Sequence, residues 1–182
     1  VNRGPEKSKY LHVNNSADFG FHRLAINGLN DNSDQPLLLN NCILICNGEI
    51  YNYKELYNEN NEFVAVTGSD CEIIIHMYRK YGIDKTLKMI NGEFAFALYD
   101  IEKELMYLAR DPHGVRALYL MENYSDNPTN PIIFGSEMKM LHPFLNICDK
   151  LKIQQFKPGH YMKFSNINIK YWITNNIMTP YY

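Results

Sequence analysis

Apolar runs long enough to cross a membrane are absent from this 182-residue chain. The longest, such as 95–99, fall far below the roughly 18–20 residues that a spanning helix needs. The first ten residues are polar and charged, so no signal peptide is expected and a cytoplasmic location follows. A dominant charge is lacking too. Eighteen basic against 20 acidic residues leave a formal −2, with no basic stripe to track phosphates and no block of like charge. Neither nucleic acid nor a membrane is an expected partner. Cysteine is sparse: residues 42, 46, 71 and 148. Cys42 and Cys46 alternate with Leu44 on one face of an expected strand, which reads as buried free thiols rather than disulfides. The sequons at Asn14 and Asn123 would matter only on a secreted protein and are discounted. His22, His76 and His113 lack metal-like spacing and no Cys-x-x-Cys or His-Glu-x-x-His occurs, so no metal is expected. No Gly-x-x-x-x-Gly-Lys-Ser loop or Ser-Gly-Gly pyrophosphate loop is present, so ATP chemistry is not encoded here.

Arginine is scarce as well, at five of the 18 basic residues. Where a lysine-rich chain still uses arginine, the planar guanidinium fork is needed for a job that lysine cannot do. Arg3, Arg23, Arg110 and Arg116 all fall in the short motifs below.

The length suits one domain that buries about two-thirds or more of its unfolded surface. Short apolar and period-two segments at 19–26, 43–46, 94–99, 105–109, 118–120, 132–134, 161–164 and 169–172 read as strands. Turn chemistry such as Asp100-Ile101-Glu102-Lys103 joins several of them, so most pairings should be antiparallel. Ile43 to Ile45 is apolar on both faces and needs cover above and below. The clearest helix begins at Ser69, with Ser69 and Glu72 as a capping box. It buries Ile73, Ile74, Met77, Tyr78 and Tyr81, and Gly82 stops it. Shorter helices are expected at 53–58, 85–89 and 137–141. Few helices and many antiparallel strands indicate an α+β fold. The stretch 123–131 reads as a loop.

Three places in the chain carry chemistry. Asn47-Gly48-Glu49 follows a buried strand. Its carboxamide and backbone N–H could form an oxyanion hole, although Asn-Gly alone reads more readily as a hairpin turn. Arg23, flanked by apolar residues, needs an anionic partner, either a ligand carboxylate or an internal Asp. Asp70, just after Ser69, is a helix-capping residue by itself but could hold an ammonium. Together, a guanidinium, a carboxylate and an amide-donor pair are complementary, group by group, to glutamine.

The chain resembles the class II glutamine amidotransferase domain of glutamine-hydrolysing asparagine synthetases, which are N-terminal-nucleophile hydrolases. The resemblance runs from Arg3-Gly4-Pro5-Glu6 through His22-Arg23-Leu24-Ala25-Ile26, Gln35-Pro36-Leu37 and Asn47-Gly48-Glu49-Ile50-Tyr51-Asn52. It continues with Thr67-Gly68-Ser69-Asp70-Cys71-Glu72, the string 92–100 and Arg110-Asp111-Pro112-His113-Gly114-Val115-Arg116. It closes with Gly135-Ser136-Glu137-Met138-Lys139 and Pro158-Gly159-His160-Tyr161. The resemblance implies a four-layer αββα sandwich that hydrolyses glutamine. Ammonia would pass to a synthetase domain absent from this chain, which would use ATP and Mg²⁺ to amidate aspartate. This chain itself would need no cofactor, and homodimerisation is left open. Carried over by motif, Arg23 would pair with the glutamine α-carboxylate, and Leu24, Ala25, Ile26 and Asn27 would line the pocket. Asn47 and Gly48 would form the oxyanion hole, Glu49 and Asp70 would hold the α-amino group, and Arg3 and Arg116 would be structural.

The chain departs from the family at its start. The family's nucleophile is an N-terminal Cys, whereas this chain opens with Val1, and Asn2 stands where the family usually has His. No internal Cys offers a free α-amine as base. The expectation is a glutaminase domain over 1–172 lacking its first strand, inactive as given, with 173–182 starting a linker. A glutamine-binding domain without catalysis and the glutaminase domain of a phosphoribosyl amidotransferase are the alternatives.

Overall fold

The computed structural model describes residues 6–13, 17–23, 31–123, 132–146, 151–165 and 175–176. The strands are β1 (Lys7–Val13), β2 (Ala17–Arg23), β3 (Leu37–Leu39), β4 (Cys42–Ile50), β5 (Gly92–Asp100), β6 (Leu105–Arg110), β7 (Tyr119–Asn123), β8 (Ile133–Gly135), β9 (Leu151–Gln155), β10 (His160–Ser165) and β11 (Asn175–Asn176). The helices are α1 (Tyr53–Glu59), α2 (Ile73–Tyr81), α3 (Ile83–Met89) and α4 (Met138–Leu141). A six-stranded sheet in the order β11-β10-β6-β5-β4-β3 forms the centre, with smaller sheets β8-β7-β9 and β1-β2. Every pairing among the described residues is antiparallel.

The period of two in β4 and β5 builds two cores, one on each face of the central sheet. Leu44, Cys46 and Ile50 from β4, with Phe94, Phe96 and Leu98 from β5, face α1, α2 and α3. Ile43, Ala95, Ala97 and Tyr99 face the opposite way, toward Phe19 of β2, Leu120 of β7 and Phe156. This is the two-sided cover that the apolar stretch at 43–45 requires. The result is an α+β sandwich in which α1–α3 lie outside the main sheet and the smaller sheets lie across its other face. Helix α4 packs against β8, and the 3₁₀ turn His142–Asn146 that follows it packs against β9.

Helix α2 is buried more completely than its apolar stripe suggests, because Ile75 is as inaccessible as Ile73 and Ile74. Gly82, at φ +77°, ends it and donates its N–H to the Tyr78 carbonyl at 2.9 Å. The expected capping box forms only in part. Ser69 Oγ accepts from Cys71 N at 3.3 Å, but residues 70–72 are a 3₁₀ turn and Glu72 reaches the loop before Ser69 instead. At the turn after β5, Asp100 Oδ1 accepts from the N–H groups of Glu102 and Lys103, both at 3.1 Å. Strands β1, β3 and β9 carry no strong alternation and were not expected. The expected segment at 169–172 lies outside the described residues, as does most of the 123–131 loop.

The seam between β4 and β5 is unusually close on either side of the Glu49–Glu93 pair. A Cβ on Gly48 would stand 2.1 Å from the Glu93 carbonyl oxygen, and one on Gly92 would stand 2.2 Å from that of Glu49. Both positions therefore need glycine for the backbones to approach at all.

The 110–116 loop shows why arginine is retained there. Arg110 is buried and its fork donates to three carbonyls, of Arg116 at 2.6 Å and of Phe156 and Gly114 at 2.7 Å each. Asp111, also buried, accepts from the N–H groups of His113 and Val115 at 3.0 Å, Arg116 at 3.1 Å and Phe94 at 3.3 Å. Two buried charges are thus solvated by backbone dipoles.

Candidate functional site

Strand β4 is nine residues long, but β3 covers only its first three, so among the described residues no strand pairs with its edge from Ile45 onward. Among the described residues, the side chains of Gln35, Asp70 and Cys71 occupy that edge. The Gln35 carboxamide acts as a substitute strand, donating to the Cys46 carbonyl at 3.0 Å and accepting from the Cys46 N–H at 2.5 Å. Four residues along, Asp70 Oδ2 accepts from the Ile50 N–H at 2.7 Å. Gly48 lies midway. Its partner Phe94 turns its own N–H and carbonyl toward Asp111, so the polar groups of Gly48 point to the open edge. The Gly48 carbonyl there takes the Cys71 thiol at 3.8 Å, and its N–H faces the gap between Gln35 and Asp70.

Arg23, Asn47, Gly48, Glu49 and Asp70 all line one cavity of about 360 Å³, together with Gln35 and Arg116. Within it, Asn47 Nδ2 is buried and has no hydrogen-bond partner among the described residues. An unmet buried donor costs about 1–3 kcal/mol until an acceptor is supplied. The amide donor of Asn47 and the N–H of Gly48 thus come from successive residues that line one cavity, and both are suited to an oxygen that carries negative charge.

The charged groups are set around this donor pair. Arg23 donates to Asp34 through Nη1 and to Ser33 Oγ through Nη2 at 3.1 Å, and Lys7 joins the same Asp34 carboxylate. Of the two partners the sequence allowed, the internal Asp is thus present, and it fixes a guanidinium on the cavity wall. Burial tends to raise the Asp34 pKa, but the hydrogen bonds from Lys7 and Arg23 win and hold it below the ordinary carboxylate value. Asp70 goes the other way. Burial raises its pKa despite the Ile50 N–H, and the neighbouring Glu49 adds to the rise. A carboxylate so placed gains from an incoming cation. Glu49 faces Glu93 directly across the strands, a like-charge pairing that is unfavourable unless neutralised. Arg116 supplies the neutralisation through its ion pair with Glu93.

Asn47, Gly48 and Glu49 lie inside β4, which runs on to Ile50, so the hairpin reading of Asn-Gly does not hold. The continuous ladder with β5 overrides the turn preference of the dipeptide. Arg3 and the expected pocket-lining residues Leu24, Ala25, Ile26 and Asn27 lie outside the described residues. Cys42, Cys46 and Cys71 are buried and free, and Cys148 lies outside the described residues. Sequence reasoning gave no role to Gln35, Asp34 or Glu93. Only the pairing of β4 with β5, which sets Glu49 against Glu93, could have suggested why Arg116 is needed. Arg116, expected to be structural, also lines the cavity, and its Nε is a second buried donor without a partner among the described residues.

Residues 1–179 match the family model of the glutamine amidotransferase domain. The probable glutamine-hydrolysing asparagine synthetase of Schizosaccharomyces pombe is 38% identical over 162 residues, covering 87% of this chain and 27% of that protein. The glutamine-hydrolysing asparagine synthetase of Rattus norvegicus is 38% identical over 173 residues, covering 88% of this chain and 29% of that protein. The chain thus spans less than a third of either relative. The solved glutamine phosphoribosylpyrophosphate amidotransferase of Bacillus subtilis, in complex with ADP and GMP, superposes with a TM-score of 0.69. It is 22% identical and covers 88% of this chain and 35% of that one, a likeness of fold. Fold and comparisons together define an amidotransferase-type α+β sandwich. The chain belongs to the glutamine amidotransferase domain family.

Proposed function

We propose that this chain is the glutamine-hydrolysing part of an asparagine synthetase, and that the cavity at the open edge of β4 holds L-glutamine. The observation that carries this reading is the adjacency of the unpartnered Asn47 amide and the edge-facing Gly48 N–H, with the Asp70 carboxylate two residues along the same strand edge. In this reading the side-chain carbonyl of glutamine lies against Asn47 and Gly48, whose donors gain most when that oxygen becomes negative in the tetrahedral intermediate. Asp70 and Glu49 take the α-ammonium. Arg23, held by Asp34 and Ser33, supplies positive charge for the α-carboxylate.

The attacking thiolate is the N-terminal Cys of the family. Internal thiols serve poorly: burial, then the charge of Asp100, pushes Cys42 up to about 12. Contact with Cys46, then burial, raises Cys71 well above an ordinary thiol. Ammonia released here would be consumed in a synthetase domain that binds ATP and Mg²⁺. Among the described residues no cluster of three His, Cys, Asp or Glu could hold a metal ion. No helix among them is long and apolar enough to cross a membrane.

The test is ammonia release from L-glutamine by the protein carrying its native N-terminus, with glutamine binding followed by titration calorimetry. Binding and release together are expected. Binding without release would make the domain a glutamine sensor, and absence of binding would overturn the reading. An ATP loop of the Ser-Gly-Gly type further along the reading frame is expected. A phosphoribosyltransferase motif there would assign the domain to the other amidotransferase class.

A further inference from the structure

Asp70 opens the 3₁₀ turn that follows a stretch, 60–69, without helix or strand, and its carboxylate accepts from the Ile50 N–H at 2.7 Å. What holds the turn is a wholly buried carboxylate, that of Glu72, which accepts from four donors. Val66 N–H reaches Oε1 at 2.8 Å, Thr67 N–H reaches Oε2 at 2.6 Å and the Thr67 hydroxyl reaches Oε2 at 2.5 Å. His76 Nε2, one helical turn along α2, lies 3.1 Å from Oε1. Thr67 is the hinge of the arrangement, because its Oγ1 also accepts from the Ser69 N–H at 3.1 Å. Ser69 in turn caps the 3₁₀ turn that begins with Asp70. A connected path of hydrogen bonds therefore runs from the rigid helix through Glu72 and Thr67 to the residue before Asp70.

We infer that Thr67 is a positioning residue for amino-acid recognition: its hydroxyl, anchored on Glu72, fixes the turn that sets the Asp70 carboxylate in the cavity. The inference rests on the reading of Asp70 as the α-ammonium partner and adds a residue to that site. A hydrogen bond to a buried ion is among the stronger kinds, because the interior screens it weakly. Removing the hydroxyl frees the Ser69 N–H and loosens the turn without touching the cavity wall. Since the α-ammonium does not change during hydrolysis, the loss should fall equally on the ground and transition states.

The test compares Thr67→Val, which keeps the shape and loses the hydroxyl, with Thr67→Ser, which keeps the hydroxyl. Glutaminase kinetics are measured on the protein with its native N-terminus. Thr67→Val should raise KM for L-glutamine about tenfold with kcat within about twofold, and Thr67→Ser should restore KM to within about twofold of the parent. A merely structural role would instead lower the melting temperature and reduce active protein at unchanged KM. Unchanged KM in Thr67→Val, beside normal glutamine turnover by the parent, would overturn the inference and leave the functional reading intact. A parent protein that neither binds nor hydrolyses glutamine would overturn both.

Discussion

The tight seam between β4 and β5 allows a quantitative test of how the site is built. In Gly48→Ala the new Cβ would meet the Glu93 carbonyl oxygen at 2.1 Å and the Phe94 Cα at 2.6 Å. Neither atom can swing aside as a side chain would, so the two strands must separate locally. Overpacking a well-packed region costs about 1–3 kcal/mol, and a backbone-on-backbone clash belongs at the upper end, near 3 kcal/mol. For a chain of this size that is a fall of about 6–12 °C in melting temperature. Gly92→Ala meets the mirror-image obstacle, the Glu49 carbonyl oxygen at 2.2 Å, so it should cost about as much, near 3 kcal/mol. Once the strands have parted for one methyl, the second finds more room, so the double variant should lose less than the sum of the two singles, by about 1 kcal/mol or more. Urea titration of the four proteins reads each term. A single-variant loss below about 0.5 kcal/mol, or strict additivity, would refute the account of a rigid seam.

Further outcomes are expected at three residues. Asn47→Ala removes a buried donor that has no partner among the described residues, so stability should stay level or rise by up to about 1–3 kcal/mol while kcat falls about 10²–10³-fold in the protein with its native N-terminus. Asp70→Ala should act mainly on glutamine KM, and equal effects of the two variants on KM and kcat would contradict the assignments. The Asp70 pKa is raised in the fold, so the native state binds the proton more tightly than the unfolded chain. Stability should therefore fall as pH rises from the ordinary Asp value through the raised one. Asp70→Asn should remove that fall, giving a protein more stable at neutral pH but weaker for glutamine, as thermal melts across pH 4–8 would show. Glu72 behaves oppositely. Burial would raise its pKa, but His76, the Thr67 hydroxyl and the N–H groups of Thr67 and Val66 lower it from 4.5 to about 2. Its contribution, roughly 3 kcal/mol, is present above pH 4.5 and should be lost as pH falls toward 2. In Glu72→Gln the acid limb of the stability profile should flatten over that window.

The sequence by itself determined the elements with strong local periodicity. The alternation in β4, β5 and β6, the α2 stripe ended by Gly82, and the Asp100 turn follow from side-chain period and turn chemistry, which are encoded within a few residues. It also determined which residues are chemically apt, since Arg23, Asn47 and Asp70 stand out as polar groups bordering apolar segments. Tertiary structure alone decided where those groups meet. That β3 stops after three residues, leaving an edge for Gln35 and Asp70 to fill, depends on pairing between segments far apart in sequence. That Asn47-Gly48 remains strand rather than turn depends on the β5 ladder beside it. That Arg23 meets Asp34, Glu72 anchors Thr67 rather than closing a capping box, and Arg116 balances Glu93 depends on which charges are buried together. Desolvation is a property of the packed whole and leaves no local signature in the chain.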